Sequence, residues 1–284
     1  MNMAAVAGID MGALFTKVVI LDDDKTLAAV CLDIGDDFQT EAVQASNEAL
    51  KQAGLKREDV KHVIATGAGN KQVRAALEER SIEERSIAIC TAKGAAYFFP
   101  QARAVLDAGA DSVTAMRLAA DGSLEASAGH GKCASFTGLF LDYLGGMMRI
   151  PVNDMGAEAQ KATDPQAVAS RCAVFAVAEI ISLIHRVPAI PVPDILAGIH
   201  EAMASGLHGV SQKVGMQSDV VLCGGVARNI DVVRRLEAKL GAPVLIPKDP
   251  QILGALGAAL FAQQALARAA RLLPEPLTGG GAKC

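Results

Sequence analysis

The chain opens on an apolar run, AVAGID, that turns at a glycine, returns as FTKVVILDDD and turns again into TLAAVCLDI. Short apolar runs bounded by glycine and aspartate predict three strands joined as a meander. The period then changes. In QTEAVQASNEALKQA, residues 39–53, Ala42, Ala45, Ala49 and Leu50 share one face and Gly54 follows as a C-cap, so this segment is expected to be a helix. Next, HVIATG reads as a buried strand, KQVRAALEE as a helix, SIAIC as a strand and TAKGAAYFF as a short helix stopped by Pro100. Strands that alternate with helices predict an α/β lobe.

From RAVLDAGADSVTAMRLAADGSLEASAG the strand, glycine turn, strand pattern starts again. Asp10 and Gly12 in GIDMG occupy the same place in the pattern as Asp107 and Gly109 in LDAGA, which predicts an internal duplication. Helices are expected at about 134–148, 172–186 and 194–214, a strand at DVVLCGG, a helix from Asn229 to Leu240, a strand at PVLIP and a last helix from Leu253 to about Leu272. The expected organisation is a first lobe over 1–100, with helix 253–272 packing on it, a second lobe over 101–252 and a flexible tail over 273–284.

Composition narrows the partners. A chain of 284 residues that is 51% hydrophobic and 20% charged can bury a large core. A net charge of -4 gives no electrostatic surface for nucleic acid or anionic lipid. The start, MNMAAVAGID, has no basic region before its first acidic residue, and the richest apolar stretch, CAVFAVAEIISLI, is cut by Glu179 and Ser182. A cytoplasmic protein without membrane contact is expected, and there six cysteines are not expected to form disulfides. None lies in CxxC spacing, so any metal role needs cysteines brought together by the fold.

The candidate chemistry begins at GIDMGALFTK. A glycine turn after a strand brings bare backbone N–H groups to phosphate oxygens at Gly12, Asp10 is placed to hold magnesium through water, and Lys17 sits on the returning strand. The second copy, Asp107 to Gly109, can grip the same phosphate chain from the other side, and Asp10 and Asp107 are the candidate catalytic carboxylates. Gly138, after the second turn, joins the nucleotide set. In CGGVARN a strand ends at Gly224 and Gly225 and a helix begins near Asn229, which suits the ribose and base end. Gly254, in ILGALGAALFA, lets a helix pack against a flat ring. Each motif alone is an ordinary turn or helix contact. Their order resembles the fold shared by actin, the seventy-kilodalton heat-shock chaperones and sugar kinases: an α/β, actin-like ATPase of duplicated RNase H-like lobes with a nucleotide cleft between them.

Two cysteines stand apart. GKCASFTGLFLDYL sets Cys133 before a helix with Phe136, Leu139, Phe140 and Leu144 on its apolar face, and SRCAVFAVAEIISLI sets Cys172 before a second. The positive end of a helix favours thiolate and a reduced, more negative cluster. Two ligands cannot hold a 4Fe-4S cluster; two from each of two chains can. Buried cysteine is ordinarily a small hydrophobe, and Cys31, Cys90 and Cys223 are assigned to the core and Cys284 to the tail. His130 is read as a loop residue, and His185 and His200 as ordinary packing or surface residues.

The blocks GIDMG, ATGAGN, KCASFTGLFLD, RCAVFAVAEIISL, ILAGIHEAMASG, VVLCGGVARN and GALGAALFA, from about residue 6 to 264, resemble the family that unites activators of 2-hydroxyacyl-CoA dehydratases with ATP-binding subunits of benzoyl-CoA reductase. The resemblance implies one 4Fe-4S cluster held between two chains through Cys133 and Cys172 of each. It also implies ATP hydrolysis that changes the angle between the helices behind them, a ferredoxin-like electron donor, and a CoA-ester reductase or dehydratase as acceptor. The activators usually show D-x-G-G-Q-D at the second turn, where this chain has Ala110, Asp111 and Ser112, and Ala13 and Leu14 replace small hydroxyl residues at the first. A homodimer needs every working residue, whereas a heterodimer subunit can lose some. The expectation therefore leans to the smaller ATP-binding subunit of a dearomatising, benzoyl-CoA reductase-like complex, paired with a homologous second ATPase subunit. The alternatives are a homodimeric dehydratase activator, a small-molecule kinase with Asp107 as base, and a scaffold without nucleotide.

Overall fold

A computed structural model describes residues 5–23, 25–35, 37–77, 82–129, 135–168, 172–216 and 219–272. The opening meander is β1 (Ala5–Met11), β2 (Phe15–Asp22) and β3 (Lys25–Asp33). Helix α1 (Phe38–Ala53) follows, its start capped by the Asp37 carboxylate, which accepts from the backbone N–H of Gln39 and Thr40, and its end by Gly54 at φ 66. Strand β4 (Val60–Gly67) then lies parallel to β1, and β5 (Glu83–Glu84) completes a sheet in the order β3-β2-β1-β4-β5. Helix α2 (Asn70–Ala76) lies between β4 and β5 in the chain.

The second half repeats this design. Strands β6 (Ala104–Ala108), β7 (Val113–Leu118) and β8 (Leu124–Gly129) form the meander, and β9 (Val220–Cys223) pairs with β6 in parallel, in the order β8-β7-β6-β9. The duplication is therefore one of topology, and equivalent positions can be read off the registers. Asp10 stands opposite Lys17 on β2 and Thr66 on β4; Asp107 stands opposite Thr114 on β7 and Cys223 on β9. Each acid is the next-to-last residue of its strand.

Between β8 and β9 run α4 (Gly138–Met148), α5 (Val152–Ala159), α6 (Ala173–Ile184) and α7 (Val192–Gln212), and after β9 comes α8 (Ile230–Leu240). Of these, α5 has no counterpart among the sequence expectations. A core that includes Leu106, Ala115, Leu144, Met155, Ile180, Leu196, Leu207 and Leu222 joins α4, α5, α6 and α7 to the second sheet.

Two strand expectations are overturned. SIAIC lies in α3 (Ile87–Phe98), which runs on through the helix expected next to it. A five-residue apolar run does not distinguish a strand from a buried helix turn, and tertiary packing decides. The packing is that of α3 on the last helix, α9 (Leu253–Leu272), where a Cβ on Gly257 would stand 1.7 Å from the Cys90 carbonyl oxygen and one on Gly94 2.3 Å from that of Leu253. PVLIP likewise forms no strand: it contributes one isolated bridge, Leu245 to Val221. Helix α9 also buries Ala255, Leu256, Ala258 and Ala259 against Val6, Val19 and Ile64 of the first sheet.

Because backbone faces backbone at Gly257, no rotamer change relieves an added methyl there. Gly257→Ala is expected to lose at least about 1–3 kcal/mol of stability. Gly146, in α4 with nothing within 4 Å of its Cβ position, is the contrasting site. Its change to alanine is expected to be neutral or to gain up to about 1 kcal/mol. Denaturant melts of both variants decide, and equal stability would refute the α3–α9 contact.

Candidate nucleotide cleft and thiol-bearing helix

The two acids at the strand ends face one cleft of about 850 Å³. That is within the roughly 300–1,000 Å³ typical of ligand pockets. Asp10, Gly12, Lys17, Asp107, Gly109, Gly138, Gly224, Gly225, Asn229 and Gly254 all line it. Residues scattered over the chain are thus gathered on one surface.

At the first turn the Gly12 N–H donates to the Phe15 carbonyl at 3.0 Å, and Lys17 Nζ lies 3.3 Å from Asp10 Oδ2. A Cβ on Gly12 would come within 2.8 Å of that ammonium, so glycine leaves Lys17 its place. Gly254 lines the cleft, and a Cβ there would meet Ile87 and Asp10 Oδ2, the latter 3.0 Å away. The start of α9 thereby fixes the position of the first carboxylate.

At the second turn the Gly109 N–H donates to the Ser112 carbonyl at 2.9 Å. The turn then reaches across to α4. The N–H groups of Gly138 and Leu139 donate to the carbonyls of Gly109 and Ala110 at 2.9 and 2.8 Å, so the second turn caps the helix that begins beyond Cys133. Asp107 accepts a hydrogen bond from the Cys223 thiol. Burial, reinforced by the nearby Asp10 charge and only partly opposed by Lys17, pushes the Asp107 carboxyl up to about 6.

The third turn is wedged against the second strand. Gly224 adopts φ 84, and a Cβ there would lie 2.2 Å from the Ala108 carbonyl oxygen. Asn229 stands at the start of α8, as expected. It lines the cleft wall, but its Oδ1 accepts from the backbone N–H of Asp231 and Val232 at the start of α8, and its Nδ2 lies 3.1 Å from His200 Nε2. The side chain is engaged with the protein.

Other expectations are corrected as well. Cys31 is exposed and lines the cleft: in β3 the core-facing positions are Ala28 and Val30, and alternation turns residue 31 away from them. Cys90 is in the core, but of a helix; burial pushes its thiol up to about 11. Cys223 is buried as expected, and it also touches a catalytic candidate. His200 is fully buried and bonded to Asp231. His185, as expected, is a surface residue, the C-cap of α6. Arg228, Gln251 and Thr91 also line the cleft and have no counterpart among the sequence expectations, although Arg228 falls within the CGGVARN block.

Cys172 is the N-cap of α6 and is partly exposed. Cys133, His130 and the tail with Cys284 lie outside the described residues. Beyond Cys172 the helix presents an apolar exposed face: Val174, Phe175, Ile181 and Ile184, with Val187 just after it. Exposed apolar side chains of this size are of the kind that a partner protein can cover. Among the described residues no group of three or more His, Cys, Asp or Glu side chains is placed to hold a metal ion. One thiol at a positive helix end fits an iron–sulfur cluster in donor type, and the remaining ligands have to come from elsewhere. No helix of the described residues is long and apolar enough to cross a membrane.

A model of the BadF/BadG/BcrA/BcrD ATPase family matches residues 7–262. The chain belongs to this family. It is 35% identical to the activator of lactoyl-CoA dehydratase from Anaerotignum propionicum, over 91% of this chain and 97% of that one. It is also 35% identical to one of the subunits of benzoyl-CoA reductase from Thauera aromatica, over 94% and 96%. The activator of 2-hydroxyisocaproyl-CoA dehydratase from Clostridium difficile, solved with ADPNP bound, superposes with a TM-score of 0.88 at 29% identity, covering 96% of this chain and 99% of that one. The fold is thus α/β and actin-like, and the family is one of ATPases.

The raised Asp107 carboxyl makes two predictions. Hydrolysis that needs the ionised carboxylate should fall as pH drops through about 6. The penalty for ionising Asp107 in the fold is absent below its ordinary value, grows as pH rises to about 6 and is constant above. Asp107→Asn should therefore abolish ATP hydrolysis and raise the melting temperature at pH 7.5 but not at pH 4. Linkage caps the gain at about 3 kcal/mol, reduced by water in the cleft. A variant that is no more stable at pH 7.5 would contradict the strained carboxylate.

Proposed function

We propose that the chain hydrolyses ATP in the cleft and couples hydrolysis to electron transfer through Cys133, which precedes α4 in sequence, and Cys172, which caps α6. The observation that carries this reading is the pair of hydrogen bonds from Gly138 and Leu139 of α4 to the carbonyls of Gly109 and Ala110. A phosphate turn that caps a helix cannot shift without moving it. Cys133 precedes that helix by a few residues in sequence, and Cys172 caps α6.

In this mechanism the Gly12 and Gly109 turns hold the phosphates, Asp10 holds magnesium through water, and Lys17 offsets negative charge between the lobes. Asp107, ionised above about pH 6, orients the attacking water and accepts its proton. Hydrolysis to ADP and phosphate releases the second turn from the γ-phosphate, and α4 follows. Cys133 and Cys172, two from each of two chains, would hold a 4Fe-4S cluster. That cluster supplies one-electron chemistry when bound. The exposed apolar face of α6 supports a second chain beside Cys172.

The acceptor we propose is a CoA-ester dehydratase, the chain being its activator and pairing with its own copy. Likeness to two dehydratase activators, each over nearly its whole length, supports this. The second reading is the smaller ATP-binding subunit of a benzoyl-CoA reductase-like complex. Ala110, Asp111 and Ser112 at the second turn and the likeness to the Thauera aromatica reductase chain favour it. The comparisons do not prefer it to the activator.

Iron and acid-labile sulfide, measured on protein purified without oxygen, test the reading. One four-iron cluster per two chains, about two irons per chain, is expected. Cys133→Ala and Cys172→Ala should each lose it, and Cys31→Ala should keep it. Full iron in both of the first two variants would exclude the shared cluster. Iron only when a homologous ATPase subunit is co-expressed would favour the heterodimer.

A further inference from the structure

The side chain of Asn229 has one orientation open to it, and that fixes every proton around it. The backbone N–H groups of Asp231 and Val232 reach the same side-chain atom at 3.2 and 3.1 Å. A backbone N–H only donates, so that atom is the amide oxygen. The other atom, 3.1 Å from His200 Nε2, is the amide nitrogen, which also only donates. His200 Nε2 is therefore the acceptor, and Nδ1 carries the hydrogen that it gives to Asp231 Oδ2 at 3.1 Å. A chain of assigned hydrogen bonds runs from the cleft wall into the middle of α7, and both His200 and Asp231 are fully buried.

Charges lock the far end of this chain. Arg235 Nε and Arg234 Nη2 each reach Asp231 at 2.7 Å, and Glu201 of α7 receives Arg235 at 3.1 Å and also binds Lys239. Burial alone would raise the Asp231 carboxyl; the donors from His200, Arg235 and Arg234 outweigh it and hold it well below the usual carboxylate range.

Helix α7 also supports both thiol segments. The ring of Phe136, three residues after Cys133, lies on Gly206, where a Cβ would be 2.3 Å from it. The loop before Cys172 rests on the first turns of the same helix. The Asp194 carboxylate accepts from the N–H groups of Thr163 and Asp164 at 2.7 and 2.9 Å, and a Cβ on Gly198 would stand 1.7 Å from the Gln166 carbonyl oxygen. His200 falls between these two supports.

We infer that His200 is a positioning residue that ties the third nucleotide turn to α7, so that nucleotide binding in the cleft reaches the segments bearing Cys133 and Cys172. The inference rests on the proposed ATP-coupled reading of the same site. An apolar residue would fill the space without holding Asn229, whereas the imidazole joins the cleft wall to α7 by two directed bonds. The turns proposed to hold phosphate lie apart in sequence from this link, so the inference expects nucleotide affinity to survive its loss.

Hydrogen exchange on the purified protein, with and without a non-hydrolysable ATP analogue, provides the test. The segments read are 163–184 and 226–240, in wild type, His200→Gln, His200→Asn and His200→Leu, alongside analogue affinity and thermal melts. Glutamine retains an acceptor for Asn229, asparagine only a donor for Asp231, and leucine neither. In wild type the analogue should change exchange in both segments. His200→Leu and His200→Asn should keep the affinity and the change at 226–240 while losing that at 163–184, and His200→Gln should restore it. If His200→Leu does not fold, His200→Asn decides. A folded leucine or asparagine variant with the full change at 163–184 overturns the role of His200 alone. Loss of analogue affinity in the folded asparagine variant, with no rescue by glutamine, also overturns it, because His200 is then a structural support of the cleft. Absence of any change at 163–184 in wild type overturns the ATP-coupled reading and the inference with it.

Discussion

Two like charges held towards one cleft govern the rest of this structure. Asp10 and Asp107 are the next-to-last residues of inner strands in two sheets of similar topology, so duplication brings two carboxylates to one cleft. The two are not treated alike. Asp10 has the Lys17 ammonium, while the equivalent position opposite Asp107 is Thr114, and its neighbour on β9 is a thiol. Asp107 is therefore the carboxyl whose ionisation the fold disfavours, first through its burial and then through the nearby Asp10 charge.

Much of this is legible in the sequence because it is written in short-range pattern. Short apolar runs bounded by Asp and Gly mark both meanders, and the helices capped by Asp37 and Asn229 start next to those residues. What is not legible is information held in tertiary contacts. SIAIC is a helix because α9 offers glycine and alanine to pack on, and no property of those five residues states that. The apolar neighbours of Cys31 point to an inward side chain, although the alternation along β3 turns it towards the cleft. His200 and Asp231 lie 31 positions apart, and their bond has no local signature. At the site, the residue types are readable and their directions are not: Asn229 and Gly254 reach the cleft but point at protein groups.

Glycine is the material that links the cleft to the helices. Gly224 lets the third turn press on β6, Gly138 lies against the second turn, Gly198 lets α7 meet the loop before Cys172, and Gly257 joins α3 to α9. At three of these four contacts the nearest atom is a backbone carbonyl oxygen closer than a Cβ tolerates, and at Gly138 one lies at 3.2 Å. Side-chain packing absorbs a displacement by changing rotamers, but a backbone-on-backbone contact has no rotamer to change and passes the displacement on. A shift of a few tenths of an ångström at a phosphate turn is then received by whole helices. The hydrogen bonds from α4 to the second turn and from Asn229 to His200 add direction to this stiffness. In the proposed mechanism these bonds are what would carry a movement of the cleft to the thiol-bearing segments.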